Sequence, residues 1–287
     1  MRYAGIDEAG YGPTLGPLAI GAVAVDTDDL ANLGRALAAH GVKDSKALHK
    51  AGNLAPLETV ALGGLAWITG RQPKTASDVF AALGEKDATR QAPWQAGANE
   101  LRLPLAAHMI HPWSIPSAKP VGVHGQLVHA DAYNDFISTQ GNKADLEIHH
   151  IQRLLAWAGG VGPSEIVVDR LGGRRYYSDA LQAIWPSLSL TVGEEIADTS
   201  RYSVGPHQVS FLVGAESRWP LTALASCFAK YARELHMTLF NRYWCGVIAD
   251  LKPTAGYPED ARRFLNALTP ARYEPVGPQL IRGWPRF

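Results

Sequence analysis

Short apolar runs separated by polar, glycine-rich breaks open the chain. Residues 2–8 and 18–25 each have the length of a β-strand, and the second, LAIGAVAV, contains no polar residue. Such a continuous run is expected of a strand that is covered on both faces of a sheet. The link between the two runs, GYGPTLGP, is rich in glycine and proline and indicates a turn. The pattern therefore predicts two strands that can pair as a hairpin.

The rest of the chain alternates helical and strand-like patterns. Apolar residues at the helical period predict helices, and short apolar runs bounded by glycine or polar residues predict strands. The predicted elements are helices at 28–39, 143–158, 176–184 and 220–243, and strands at 165–169 and 208–215. Residues 50–130 hold many Pro, Gly and Trp residues without a clear period, so we expect short elements and long loops there. The alternation is typical of an α/β protein with a mixed sheet.

Composition fits a globular protein and narrows its setting. The chain has 287 residues, 46% of them hydrophobic, which allows one large domain or two ordinary ones. It has no run of 18 apolar residues and no apolar leader, so we expect a cytoplasmic location and no membrane partner. Lys plus Arg and Asp plus Glu each number 27, so the net charge does not indicate a polyanionic partner. Nucleic-acid contacts would have to come from local basic positions.

Acidic residues stand at the ends of three predicted strands. Asp7 and Glu8 end the first, Asp169 ends the strand at 165–169, and Glu216 follows the strand at 208–215. Ligand sites in open α/β sheets lie beyond strand ends, and converging carboxylates need cations between them. All-oxygen donor sets suit Mg²⁺ or Mn²⁺, and two such ions can activate water for phosphodiester cleavage. An acid after a strand is also often only a helix cap or a turn residue, so the pattern alone leaves both interpretations open.

Five motifs in this order resemble the type 2 ribonucleases H, the family of ribonucleases HII and HIII. They are Asp7-Glu8-Ala9-Gly10-Tyr11-Gly12-Pro13 with Gly16-Pro17, Asp44-Ser45-Lys46, Val167-Val168-Asp169, Ala215-Glu216-Ser217 and Gly256-Tyr257-Pro258. Together they extend over most of the chain. A small-residue helical segment, Ala223 to Lys230, follows the fourth motif as it does in that family.

The resemblance implies a ribonuclease H-like fold, a mixed central sheet flanked by helices. It implies a divalent-metal-dependent endonuclease that cleaves the RNA strand of RNA–DNA hybrids, or at ribonucleotides embedded in DNA, by two-metal phosphodiester hydrolysis. The cofactor would be two ions of Mg²⁺ or Mn²⁺. By this resemblance the catalytic residues and metal ligands would be Asp7, Glu8, Asp169 and Glu216. Lys46 would contact a phosphate, the Gly10, Tyr11 and Gly12 backbone would reach the ribose 2′-hydroxyl, and Tyr257 would stack on a sugar.

Several departures mark the chain as a divergent member. Tyr11 stands where ribonuclease HII usually has arginine, and the fourth acid is glutamate, as in ribonuclease HIII. The segment after Asp169 reads RLGGRR and does not match the family's short turn. Its arginines, Arg170, Arg174 and Arg175, are candidates for phosphate binding, with a solvated or ion-paired surface as the alternative.

The gap between the second and third acidic motifs is longer than is usual for the family. We therefore expect one ribonuclease H-like domain over 1–287, with an inserted or poorly readable subdomain at about 50–140 and a C-terminal extension at about 245–287. The partner would be an RNA–DNA hybrid or a ribonucleotide-containing duplex, bound by a monomer. The alternatives are a non-catalytic nucleic-acid or protein binding module on the same fold, or a nuclease for another structured nucleic acid.

Overall fold

A computed structural model describes residues 1–49, 53–85, 92–106, 108–160, 162–268 and 273–284. The strands are β1 (Arg2–Ala9), β2 (Leu18–Thr27), β3 (Ala118–Val128), β4 (Ser164–Asp169), β5 (Leu190–Glu195), β6 (Thr199–Val204) and β7 (His207–Leu212). The helices are α1 (Leu30–Ala39), α2 (Ser45–Leu48), α3 (Ala55–Thr69), α4 (Ala76–Ala82), α5 (Ala130–Thr139), α6 (Lys143–Gly159), α7 (Ser178–Ile184), α8 (Pro220–Val247) and α9 (Pro258–Leu268). Short 3₁₀ segments lie at Pro93–Ala98, Ala215–Ser217 and Glu274–Val276, and a single helical turn lies at Gly277–Leu280.

The seven strands form one mixed sheet in the order β3-β2-β1-β4-β7-β6-β5. β1 pairs antiparallel with β2, as the short glycine-rich link predicts, and parallel with β4 on its other side. β4 in turn pairs parallel with β7. Because parallel strands end at the same edge of a sheet, β1, β4 and β7 deliver their carboxyl ends side by side. The predicted class, a mixed sheet flanked by helices, is confirmed.

Helices cover both faces of the sheet. On one face, side chains of β2 pack with those of α1, α3, α4 and α8 in a continuous apolar cluster. On the other face, β1, β2 and β4 pack against α6 and α7. A third cluster joins the end of α8 to α9 and the C-terminal residues. Nearly all of β2 is buried, which agrees with its unbroken apolar sequence.

The longest helix, α8, lies directly against β1. Gly5 makes this possible, because a Cβ built at that position would come within 2.1 Å of the Thr222 backbone nitrogen. The Thr222 hydroxyl also donates to the Val167 carbonyl, at 3.0 Å, and so ties the helix to β4. Burial along almost the whole of α8 makes it the central helix of this face.

The segment that was unreadable in the sequence contains regular structure. α3 runs for 15 residues, longer than the short elements expected there, and β3 forms an edge of the sheet. α3 buries Leu57, Val60 and Leu65 and also Ala61 and its two glycines, and few of its residues are polar, so no polar face reveals a helical period. No helix within the described ranges is both long enough and apolar enough to cross a membrane.

Candidate active site

The first three acids meet where β1 and β4 end. Ile6 pairs with Val168 in the parallel register, so Asp7 and Glu8, which remain in β1 and paired with β2, lie beside Asp169. One carboxylate oxygen from each of the three lies within 4.8 Å of the others. Asp7 lies beside Ser226 of α8, whose hydroxyl lowers the Asp7 pKa, whereas the negative charge of Glu8 raises the pKa of Glu147 on α6. Because successive strand residues face opposite sides, the two acids approach Asp169 from the two layers of the fold.

The fourth acid, Glu216, adjoins this group through the backbone. β7 ends at Leu212, three residues earlier than predicted, because Gly214 turns the chain in the left-handed conformation at φ 63°. The next residue, Ala215, donates its N–H to Asp169 Oδ1 at 2.8 Å. Glu216 is buried, and its Oε1 accepts a hydrogen bond from Lys46 Nζ at 3.0 Å. The structure thus places Glu216 beside Asp169 but in an ion pair with Lys46.

Burial and mutual repulsion raise the pKa values of the clustered carboxyls. The pKa of Asp7 lies well above its usual value, because of burial first and then the charges of Glu8 and Asp169. Burial and the Asp169 charge raise the pKa of Glu8 to about 7. The pKa of Asp169 rises to about 6, mainly through burial. The cluster is therefore poorly compensated by the protein itself.

These carboxylates fit a hard divalent cation. Glu8 Oε2 is buried without a hydrogen-bond partner within the described ranges. An unpartnered buried carboxylate oxygen is costly unless an ion or a water completes it. Asp7, Glu8 and Asp169 together offer only oxygen donors, the type that Mg²⁺ and Mn²⁺ prefer. The donor chemistry and the unpartnered oxygen both match the implied cofactor.

Glu147 is an additional acid at this site that sequence reasoning missed. It is 1% exposed, and burial together with the Glu8 charge raises its pKa to about 8. The sequence held a clue, because Glu147 precedes Ile151 and Leu154 at helical spacing on the buried stripe of α6. A charged residue on an apolar stripe indicates a special environment. Here that environment is the cluster around Glu8.

The glycine-flanked turn is held in place by arginines from distant parts of the chain. Gly10 has a φ of 87° and its carbonyl accepts from Arg282 Nη1 at 2.8 Å. Arg233, in α8, donates to the Pro17 carbonyl at 2.7 Å. Gly12 is exposed, and Tyr257, half exposed, is its nearest neighbour across the turn. The turn and Tyr257 thus form one surface beside the carboxylates.

Tyr11 carries no charge itself, but one cation contacts its ring and a second binds the carbonyl of the preceding residue, Gly10. Lys143 Nζ lies 3.5 Å from the centroid of the Tyr11 ring. Arg282 is buried, and its Nε and Nη2 atoms have no hydrogen-bond partner within the described ranges. Burial lowers the pKa of Arg282 to about 9 and also lowers that of Lys143. Positive charge therefore lies close to Tyr11, on residues that no local motif reveals.

The arginines after Asp169 have different surroundings. Arg170 donates to the carbonyls of Arg174, at 2.8 Å, and of Ala197. Arg174 forms an ion pair with Asp145, with 3.3 Å between Nη2 and Oδ1. Arg175 is exposed to solvent. The first two side chains organise the loop, and Arg175 is the most accessible of the three.

The N-terminal part of the chain is similar in sequence to known ribonucleases HII. Residues 4–55 match the family model described as Ribonuclease HII. A curated Ribonuclease HII from Thermococcus onnurineus is 54% identical over 48 residues, which are 17% of this chain and 19% of that relative. The matched segment contains Asp7, Glu8 and the glycine-flanked turn.

Solved structures resemble the chain over nearly its full length. A ribonuclease H2 from Pyrococcus horikoshii matches with a TM-score of 0.54 at 18% identity, covering 100% of this chain and 95% of the other. The PCNA:RNase HII complex from Archaeoglobus fulgidus gives 0.52 at 16%, covering 99% and 95%. Bst-RNase HIII in complex with Mn²⁺ gives 0.51 at 18%, covering 99% and 66%. The chain has the ribonuclease H-like fold shared by these proteins.

Proposed function

Because this chain is a divergent member of the type 2 ribonuclease H family, we propose that it is a divalent-metal-dependent endonuclease. Its substrate would be the RNA strand of RNA–DNA hybrids, or ribonucleotides embedded in DNA. One observation carries the proposal above the others. Three carboxylates with raised pKa values, one buried and two partly buried, converge where β4 ends beside β1, and one of their oxygens has no partner within the described ranges.

Asp7, Glu8 and Asp169 would hold the metal, with Glu216 joining them from the adjacent turn. Bound Mg²⁺ or Mn²⁺ supplies an activated water and stabilises the leaving oxygen in phosphodiester hydrolysis. Lys46 keeps Glu216 paired, yet its side chain is 81% exposed and can turn toward a substrate phosphate. In this arrangement Lys46 would exchange Glu216 for the phosphate as the substrate binds. Asp7 would keep its orientation through Ser226 of α8.

The surface beside the carboxylates suits a ribose-containing strand. Gly10, Tyr11 and Gly12 would present backbone groups to the 2′-hydroxyl, the group that distinguishes RNA from DNA. Tyr257 would pack against the neighbouring sugar. Lys143 and Arg282, which adjoin Tyr11, would supply positive charge at this point, and Arg175 would attract a more distant phosphate.

Domain organisation and setting belong to the same proposal. We take residues 1–287 as one domain in which about 50–140 is an insertion and about 245–287 a C-terminal extension. The enzyme would act as a cytoplasmic monomer.

A cleavage assay tests the proposal. Labelled duplexes of one sequence would be prepared as an RNA–DNA hybrid, as DNA with one ribonucleotide and as plain DNA, each with Mg²⁺, Mn²⁺ or EDTA. Wild type should cut the first or second duplex only with metal, and Asp169→Asn should not. Asp179→Asn, an exposed acid on α7, is the matched control and should cut like wild type. Binding without cutting would favour the binding module, and cutting of plain DNA would favour a nuclease of other specificity.

A further inference from the structure

A second cluster of metal-binding side chain types lies apart from the strand ends. Glu85 follows α4, His129 immediately precedes α5, and His236 is in the middle of α8. One side-chain donor atom from each lies within 4.8 Å of the other two. None of the three residues belongs to the carboxylate group at Asp7. The chain folds these positions together from segments separated by 44 and 107 residues.

Both carboxylate oxygens of Glu85 face imidazole nitrogens. His129 Nε2 is 2.6 Å from Glu85 Oε1, and His236 Nε2 is 3.3 Å from Glu85 Oε2. The side chains of Glu85 and His236 are each 3% exposed, and that of His129 is 13% exposed. The donor atoms are therefore enclosed and directed toward one small region.

Surrounding contacts fix both rings. His236 stacks on Phe80 with 3.9 Å between ring centroids and an angle of 13° between the ring planes. The Gln95 amide nitrogen lies 3.0 Å from His129 Nδ1, and its amide oxygen accepts from the Ala92 N–H at 2.9 Å. These contacts fix the orientation of both rings, as outer-shell partners do for imidazoles that bind a metal.

A cavity adjoins the cluster. Its volume is about 20 Å³, and its walls include Gln95, His129, His236 and Phe240. A space of this size accommodates one water molecule. Two imidazoles, one carboxylate and one water together make the four-coordinate donor set that first-row transition metals bind.

We propose that Glu85, His129 and His236 form a structural site for a transition metal ion of the zinc class. Imidazole donors select such ions over the Mg²⁺ preferred by the all-oxygen cluster, so the two sites would differ in metal preference. The ion would fasten the chain on either side of β3 to the central helix α8. Its role would be in stability, since none of the three ligands reaches the carboxylates at the strand ends. On binding, the His129 proton would move from Nε2 to Nδ1, which frees Nε2 for the ion, and the Gln95 side chain would turn its amide oxygen toward Nδ1 to accept that proton, releasing the Ala92 N–H.

Zinc binding tests the site independently of nuclease activity. Every protein would carry Asp7→Asn, which weakens the competing carboxylate cluster, and would be stripped with a chelator before zinc is added. Metal analysis after gel filtration should give one zinc per chain in this background. Glu85→Gln and His129→Gln should each bind at least ~10-fold less zinc, whereas His150→Gln should retain it. His150 is the matched control, a half-buried histidine that contacts Gln126 at 3.1 Å.

Stability and spectroscopy supply two further readings. At a hundredfold excess of zinc over its dissociation constant, the unfolding midpoint should rise by ~5 °C, and His129→Gln should abolish the rise. Proton NMR of the protein loaded with Co²⁺, with Glu85, His129 and His236 unchanged, should show exchangeable, paramagnetically shifted N–H signals from two imidazole rings. This measurement needs no ligand variant. The proposal is overturned if no zinc remains after filtration, if Glu85→Gln binds as much, or if these N–H signals are absent. The last outcome decides the matter even where a variant fails to fold.

Discussion

Adding a single methyl group at Gly12 tests how closely the glycine-flanked turn approaches the substrate. Gly12 is exposed, and a Cβ there would have Tyr257 Cε1, at 3.8 Å, as its nearest neighbour. This distance is ordinary van der Waals contact, so Gly12→Ala should change the free energy of unfolding by less than about 0.5 kcal/mol. The methyl group would occupy the space between the turn and Tyr257, where we place the ribose. A displacement of ~1 Å at the reacting group costs up to ~100-fold in rate.

Gly10→Ala should behave in the opposite way. Its φ of 87° disfavours alanine, and the new Cβ would lie 2.7 Å from Arg233 Cδ and 2.8 Å from the Pro17 carbonyl oxygen. A left-handed backbone costs about 1–2 kcal/mol and overpacking about 1–3 kcal/mol. The sum, roughly 2–5 kcal/mol, should lower the unfolding midpoint by about 10 °C. Gly10→Ala would therefore reduce cleavage through the fold, and Gly12→Ala is the cleaner probe of ribose contact.

The assay combines thermal unfolding with kcat/KM on the hybrid and affinity for an all-DNA duplex of the same sequence. Gly12→Ala should lower kcat/KM on the hybrid about 10- to 100-fold, with DNA affinity and the midpoint unchanged. Gly246→Ala, where an added Cβ would meet no atom within 4 Å, is the control. Cleavage of the hybrid by Gly12→Ala at the wild-type rate would show that the substrate does not approach this face of the turn.

Three further predictions concern charge. Asp7→Asn should abolish cleavage yet raise the unfolding midpoint of the metal-free protein, because the most buried of three mutually repelling carboxylates loses its charge; a lower midpoint in EDTA would contradict this. Burial raises the pKa of Glu147 from 4.5 to about 8. Between these pH values the folded protein keeps a proton on Glu147 that the unfolded chain has released, so the free energy of unfolding falls as pH rises from 4.5 to 8. Glu147→Gln should therefore reduce this fall and raise the free energy of unfolding by up to ~3 kcal/mol at pH 7. Urea unfolding at several pH values measures it, and the same pH dependence for variant and wild type would refute the prediction. Arg175→Ala should reduce the log–log salt dependence of duplex binding by roughly one unit, while Arg170→Ala should mainly lower the unfolding midpoint, because its side chain bonds to loop carbonyls; equal salt slopes for wild type and Arg175→Ala would return Arg175 to the solvated surface.

The sequence predicts the middle of the sheet better than its margins. β1, β2 and β4 are buried on both faces, so their apolar runs are long enough to recognise without structural information. β5 escaped prediction because this edge strand, LTVGEE, is largely accessible to solvent and carries little apolar pattern. β6 is an inner strand, but its sequence TSRYSV is mostly polar and gives no apolar run. α3 was missed for the opposite reason, since burial on all sides removes its helical period.

The candidate site divides in the same way. Asp7, Glu8 and Asp169 could be predicted to converge, because each ends an apolar run and parallel strands share an edge. Lys143 and Arg282 could not, since their positions depend on how α6 and the C-terminal residues pack around the turn. The group of Glu85, His129 and His236 has no motif spacing at all, and only the packing of α4, α5 and α8 brings it together.

Because Gly5 has no side chain, the backbones of β1 and α8 are in direct contact at this position. Any larger residue would push α8 outward, and Ser226 would then move away from Asp7 while Asp7 stayed on the strand. A position without a side chain therefore controls the orientation of a carboxylate two residues further along the strand. A mutational screen for loss of cleavage should therefore identify Gly5 together with the acidic residues, although Gly5 has no ionisable group that a pH titration could detect. Substitutions at Gly5 should therefore be tolerated as poorly as substitutions at the candidate metal ligands, solely because α8 packs so closely against β1.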